Sequence, residues 1–332
     1  MAKANEPTLG VVVPVYRCDE CLIALHTRLR ATLQSIGTSY EILYVDDRSP
    51  DGAWSTLLML AETDEHVRAM RLSRNFGQQA AITAGLMYSR GLFTVVMDCD
   101  LQDPPESIPD LYAKAQEGYD IVLVRRAERR HSLRRRLGAR IYAKMLKALA
   151  GVEISSAYGA FSIVSKRARA AFLEIKDSDR HYVPILHWLG FERTEIEVRH
   201  AERFAGTSAY SLRELVGHAM QGIFFQTTTL LRWIVYAGFL LALTGGLLAV
   251  SFVVTYVFFS PGIPPGWTSL VVLLLVIGGF IIISTGVTGL YIGKIFSQVK
   301  ERPLFIVEQE IGGATVDEES ISAPLESQPR AH

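Results

Sequence analysis

Residues Val95–Glu106 read VVMDCDLQDPPE. An apolar run goes straight into Asp98 and Asp100, one residue apart, followed by Gln102, Asp103 and two prolines. Asp and Pro are good turn formers at the end of a buried strand, which accounts for one acid and the prolines. A second carboxylate at i+2 projects to the same side of an extended backbone. Two like charges that close repel unless something positive lies between them. A divalent cation with oxygen ligands, Mg²⁺ or Mn²⁺, meets that need. Mg²⁺ commonly combines one or two carboxylates with substrate phosphates, so the pair predicts a diphosphate ligand whose departing charge the metal stabilises.

The surrounding segments turn that strand end into a fold. LGVVVPVY (Leu9–Tyr16) is a continuous apolar run, as expected of a strand buried on both faces. The pattern continues with a helix over Cys21–Ile36, a strand YEILYVDD over Tyr40–Asp47 and a helix over Trp54–Thr63. VRAMRLSRN, a helix over Gln78–Ser89, LFTVVMDCD and YDIVLVRR follow in turn. Strands alternating with helices predict an α/β domain with a mostly parallel sheet. Ligands bind such sheets beyond the carboxyl ends of the strands, which here carry Tyr16, Asp46, Asp47, Asp98, Asp100 and Arg126. There is no G-x-G-x-x-G after the first strand and no G-x-x-x-x-G-K-[ST] anywhere, which argues against dinucleotide binding and excludes P-loop chemistry. No Ser-His-Asp or Cys-His arrangement stands out, and His181, His187, His200 and His218 are scattered.

The 332 residues balance 34 Lys and Arg against 34 Asp and Glu, so composition gives no sign of a nucleic-acid partner. The average hides segregation. Residues 1–210 read as a soluble domain and 211–232 as an amphipathic juxtamembrane helix, either lying in the membrane interface or packed on that domain. Residues 233–259 and 267–293 are charge-free runs long enough to cross a bilayer, joined by a short extracytoplasmic loop, 260–266. Arg213, Arg232, Lys294, Lys300 and Arg302 flank them, which puts both termini in the cytoplasm. The expectation is a multi-pass protein of a bacterial inner membrane, with a cytoplasmic tail over 294–332 that is disordered from about 308. Gly245, Gly246, Gly278 and Gly279 either allow the spans to form a homo-oligomer or fill space between them. Eight arginines between Arg125 and Arg140 suit anionic headgroups or a phosphate-bearing substrate, against a merely solvated face. Three cysteines are too few for a disulfide framework and fit a reducing compartment. Cys18 and Cys21 form a C-x-x-C, but no second pair or histidine cluster completes a zinc site, and the spacing suits the first turn of a helix better than a redox or metal pair.

PVY (Pro14–Tyr16), VDDRSPDG (Val45–Gly52), LSRNFGQQAAITAGL (Leu72–Leu86) and MDCDLQDPPE resemble family 2 glycosyltransferases of the Rossmann-like GT-A fold. HYVPILHWLGF, RHAERFAGTSAYSL and TTTLLRW extend the resemblance, from about residue 9 to residue 306, to the polyprenyl-phosphate branch. That branch includes dolichyl-phosphate mannose synthase and the bacterial undecaprenyl-phosphate glycosyltransferases. The resemblance implies a catalytic domain followed by two transmembrane helices. It also implies sugar transfer, with inversion, from a nucleotide-diphosphate sugar to a polyprenyl phosphate at the lipid bilayer. Pro14, Tyr16, Asp46 and Asp47 match positions that hold the nucleotide, and Asp98, Asp100 and Gln102 match the metal and diphosphate motif. Arg126, Arg129 and Arg203 match phosphate-gripping positions, with Arg203 on the donor or the acceptor. Three departures stand out: Arg17 and Cys18 replace the usual Asn-Glu, Ala157 replaces an aspartate, and Ala209 replaces a lysine. Two rival readings are a catalytically silent membrane scaffold and a processive polysaccharide synthase. The second lacks its Q-x-x-R-W, because Gln226 lies too far from Arg232 and Trp233.

Overall fold

The computed structural model describes residues 6–126, 158–178, 180–198, 229–259 and 267–312. Leu9–Val15 forms β1 and Tyr40–Asp46 forms β2, every residue of both buried, as the unbroken apolar run of β1 requires; β2 also buries the charged Glu41 and Asp46. Between them α1 covers Asp19–Ile36. It opens with Asp19 and Glu20 in its positive first turn and closes on Gly37 in the left-handed conformation. The chain continues through α2 (Ala53–Thr63), β3 (Val67–Leu72), α3 (Gln78–Tyr88), β4 (Phe93–Val96), α4 (Ile108–Gln116) and β5 (Ile121–Arg126). Each of these lies within three residues of its expected bounds where the sequence pattern was read, except that β4 ends short of the acids.

Further on come β6 (Tyr158–Ser165), α5 (Lys166–Glu174), α6 (Tyr182–Trp188) and β7 (Arg193–Val198). The strand order is β7-β5-β6-β4-β1-β2-β3-β8, with β8 at Val307–Ile311. β1 pairs parallel with both β2 and β4, β2 with β3, and β5 with β7. β6 runs antiparallel between β4 and β5. The sheet is thus mostly parallel, with its order reversing at β1. Alternate residues serve opposite faces. Val11, Val13 and Val15 pack with α1, α2 and α4, while Val12 packs with α3, α5 and α6. A Cβ on Gly85 of α3 would run into the Val12 side chain, so the glycine lets that helix approach the sheet closely.

The tail departs from expectation. Val307–Ile311 is not disordered: it forms β8, antiparallel to β3 at the edge of the sheet. The acids that suggested a disordered segment find specific partners. Glu310 Oε1 accepts a 2.5 Å bond from the buried Arg68, which also donates to Glu41 at 3.0 Å, and Glu308 pairs with Arg48. Val307 and Ile311 pack against the core. Gly312 ends the strand at φ 87°, where a side chain would strike the Val67 carbonyl. Residues 303–312 therefore belong with the sheet domain, which is not the contiguous 1–210 block.

The second unit contains α7 (Thr229–Phe259) and α8 (Trp267–Val299). Both outrun their expected bounds, α7 starting before Trp233 and α8 continuing past Gly293. Among the described residues Ile277–Val299, 23 residues of mean hydropathy 1.5, is long and apolar enough to cross a membrane, and Ile234–Gly245 is a shorter apolar stretch. The helices approach where Gly238 faces Phe280.

Candidate active site

The strand order reverses at β1, and open α/β sheets take their ligands at such a point, beyond the carboxyl ends of the strands, here those of β4, β1 and β2. Loops after these three strands carry Asp98 to Gln102, Tyr16 to Cys18, and Asp46 to Asp51. Each loop contains one non-glycine residue in the left-handed region: Leu101 at φ 60°, Arg17 at φ 54° and Arg48 at φ 56°. Such backbone costs about 1–3 kcal/mol per residue and gathers where function constrains the chain.

β4 ends at Val96, so Asp98 and Asp100 sit in a turn and not on an extended strand. The same-side argument from strand geometry therefore does not apply to them; the turn itself sets their directions. Both are half-buried. Asp98 Oδ1 accepts a 2.7 Å bond from Gln78 Nε2 at the first turn of α3. Asp100 Oδ1 accepts the Gln102 amide at 3.1 Å, which closes the turn through Leu101. Tyr16 is 41% exposed beside them, whereas Pro14 is buried within β1 opposite Val45.

The β2 acids are placed differently. Asp46 is 0% and Asp47 2% exposed. Asp46 Oδ1 accepts the Ser49 amide at 2.8 Å, and Arg71 Nε stands 3.2 Å from its other oxygen, a charge contact without hydrogen-bond alignment. Asp47 accepts the Phe76 amide at 2.7 Å and the Gly77 amide at 2.8 Å, tying the β2 loop to the start of α3. Burial pushes both carboxyls above the ordinary carboxylate value, only partly offset by these amides and by Arg71 beside Asp46 and Arg74 beside Asp47. As positioned, both carboxyls are turned into the protein behind the edge.

A ring of contacts fastens the loops to one another. The Arg17 amide donates to Ser49 Oγ at 2.7 Å, the Asp19 amide to Asp51 Oδ2 at 3.2 Å, and Thr56 Oγ1 to Asp19 Oδ1 at 2.6 Å. Cys18 and Cys99 are joined as a disulfide across β1 and β4. Cys18 therefore pairs with a partner 81 positions away and not with Cys21, which is buried in the first turn of α1 as a free thiol. Sequence spacing could not expose this bond, because only the adjacency of β1 and β4 brings the loops together. Gln78 was equally hidden: a glutamine opening a helix gives no sign of an aspartate twenty positions on.

Arg126 ends β5 opposite Val198. β5 runs parallel to β4 with β6 between them, so its carboxyl end shares the edge, two strand spacings or about 10 Å away. Arg129, Arg203, Ala157 and Ala209 lie outside the described residues, as do most of the arginine run and of the juxtamembrane segment. Among the described residues no three acids, histidines or cysteines converge on one point, so Asp98 and Asp100 are there at most a two-carboxylate set. Such a set fits Mg²⁺ or Mn²⁺ completed by phosphate oxygens, and does not fit a closed all-protein cage.

The sheet and its edge define an α/β enzyme domain that works at a topological switch point. Residues 10–172 match the model of glycosyl transferase family 2. An uncharacterized glycosyltransferase of Bacillus subtilis, YkcC, is 33% identical over 91% of this chain and 94% of its own length. The undecaprenyl-phosphate 4-deoxy-4-formamido-L-arabinose transferase of Yersinia enterocolitica is 36% identical over 92% of this chain and 94% of its own. Among solved structures, glucosyl-3-phosphoglycerate synthase of Mycobacterium tuberculosis aligns at TM-score 0.49 and 16% identity, over 68% of this chain and 78% of that one. That likeness is too distant to bear on ligands. The chain belongs to glycosyl transferase family 2 and is a glycosyltransferase.

Proposed function

We propose that this enzyme transfers a sugar, with inversion, from a nucleotide-diphosphate sugar to a polyprenyl phosphate at the cytoplasmic face of a bacterial inner membrane. The observation that carries the reading is the half-buried Asp98–Asp100 pair in the turn beyond β4, fastened to the loops of β1 and α3. Similarity over nearly the whole length to a transferase named for undecaprenyl phosphate supports the acceptor.

In this reading the nucleotide lies along Tyr16 and the β2 loop, with Asp46 and Asp47 keeping that loop in shape. Asp98, Asp100 and Gln102 would hold Mg²⁺ or Mn²⁺. When bound, the ion supplies charge neutralisation at the departing nucleoside diphosphate. Lipid phosphate is largely ionised at neutral pH. Its oxygen attacks the anomeric carbon as the bond from that carbon to the diphosphate oxygen breaks, and no strong general base is needed. The protein's task is alignment, and Arg126, Arg129 and Arg203 serve it by gripping the phosphates. The apolar runs at 233–259 and 267–293 hold the domain at the bilayer surface, with both termini on the cytoplasmic side.

The test is a transfer screen with the full-length enzyme, undecaprenyl phosphate, Mg²⁺ or Mn²⁺, and radiolabelled UDP-, GDP- and dTDP-sugars. A chloroform-soluble, acid-labile product is expected with one donor. Its absence across the panel, from folded enzyme, would refute lipid-phosphate transfer.

A further inference from the structure

Cys18 precedes α1 on the loop after β1, and Cys99 stands between Asp98 and Asp100. Both side chains are largely buried, their Cα atoms lie 6.5 Å apart, and they are joined as a disulfide. The separation falls within the range that a disulfide spans without backbone movement. A domain facing the cytoplasm meets a pool that keeps such pairs reduced unless an oxidant appears. We infer that Cys18 and Cys99 are a reversible thiol-modification site whose oxidised form staples the metal motif to the β1 loop. The functional half of this inference rests on reading the Asp98–Asp100 edge as the donor site.

The co-reactant is a small disulfide such as oxidised glutathione. The thiolate of one cysteine attacks it, expels one glutathione thiolate and becomes a mixed disulfide. The second cysteine, as its thiolate, then attacks the protein sulfur of that mixed disulfide and expels the other glutathione. Two protein thiols become one disulfide, two electrons reduce the oxidant to two thiols, and the protons of the cysteines end on the released glutathione. Reduction by excess glutathione reverses both steps.

The physical effect follows from position. Asp98 accepts a hydrogen bond from Gln78, and Asp100 accepts one from the Gln102 amide in its own turn. Neither of these bonds reaches β1; at the start of the loop the Met97 amide donates to the Val12 carbonyl of β1 at 3.1 Å, and further along the Cys18–Cys99 bond ties the metal motif itself to the β1 loop. Linking the loops confines the two carboxylates before any ligand arrives, and preorganisation of this kind strengthens binding. The oxidised enzyme should bind Mn²⁺ about three- to tenfold more tightly than the reduced one.

The experiment equilibrates the full-length enzyme, in detergent, with glutathione mixtures of differing oxidised fraction. Free thiols are alkylated, Cys18–Cys99 linked peptides are quantified by mass spectrometry, and Mn²⁺ affinity is measured by electron paramagnetic resonance. A linked peptide that appears with oxidised glutathione, alongside tighter Mn²⁺ binding, is the expected result. Cys18→Ser and Cys99→Ser should each fix the reduced-state affinity at every mixture, and Cys21→Ser should leave the response intact. A missing linked peptide, or a linked peptide with unchanged Mn²⁺ affinity, overturns the inference. Linkage with no Mn²⁺ binding in either state instead refutes the metal assignment and removes the functional half with it.

Discussion

Asp46 and Asp47 after β2 carry the same sequence signature as Asp98 and Asp100 after β4: an apolar strand running into closely spaced carboxylates. The structure gives the two pairs opposite surroundings. The β2 acids are buried and accept backbone amides from Ser49, Phe76 and Gly77. The β4 acids are half-buried in a turn that leaves them at the edge, where Asp98 accepts a bond from Gln78 and Asp100 one from the Gln102 amide. An acid-tipped strand therefore marks a ligand edge without saying which acids meet the ligand. In the proposed reading, burial separates the acids that shape the edge from those that meet the ligand.

The comparison is broken most decisively at Asp100. Asp100→Asn should lower transfer turnover on the order of a thousandfold, because one charge of the metal set is lost while the turn is kept. Circular dichroism should show an unchanged fold, and near-normal turnover would place Asp100 outside the site. Asp47→Ala should act on stability first. It leaves the Phe76 and Gly77 amides without their acceptor, at a cost of about 2–4 kcal/mol, read from unfolding of the full chain in detergent. The Asp47 carboxyl lies above its ordinary value in the folded protein, so the folded state holds its proton longer than the unfolded state does. This group's contribution is then most favourable below about pH 4 and declines as pH rises through the raised value. Asp47→Asn removes that decline, so its deficit against the native protein should narrow with rising pH; a widening deficit would contradict the assignment. The smallest effect is expected at Gln78, which touches Asp98 and no predicted ligand. Gln78→Ala should raise the Mn²⁺ concentration for half-maximal transfer about tenfold. An unchanged Mn²⁺ requirement would make that hydrogen bond incidental.

Much of the frame was readable from the chain. The unbroken apolar run of β1 suits a strand covered on both faces, and the helical periods between the strands favour parallel pairing. Local patterns did not reveal β7, whose side chains alternate between exposed and half-buried at the sheet edge. They also misjudged β8, because a five-residue strand with two glutamates looks like solvated tail until Arg48 and Arg68 are beside it.

The sequence by itself determined an α/β domain with acids at its strand ends, long apolar stretches near its carboxyl end, and membership in a sugar-transferring family. These follow from periodicity, charge distribution and ordered motifs, which act over a few residues at a time. Tertiary structure alone decided that Asp46 and Asp47 turn inward, that Cys18 meets Cys99, that Gln78 reaches Asp98, and that the tail closes the sheet. Each of these depends on which strands become neighbours, and that adjacency is set by packing the whole sheet, a quantity no local window of sequence contains.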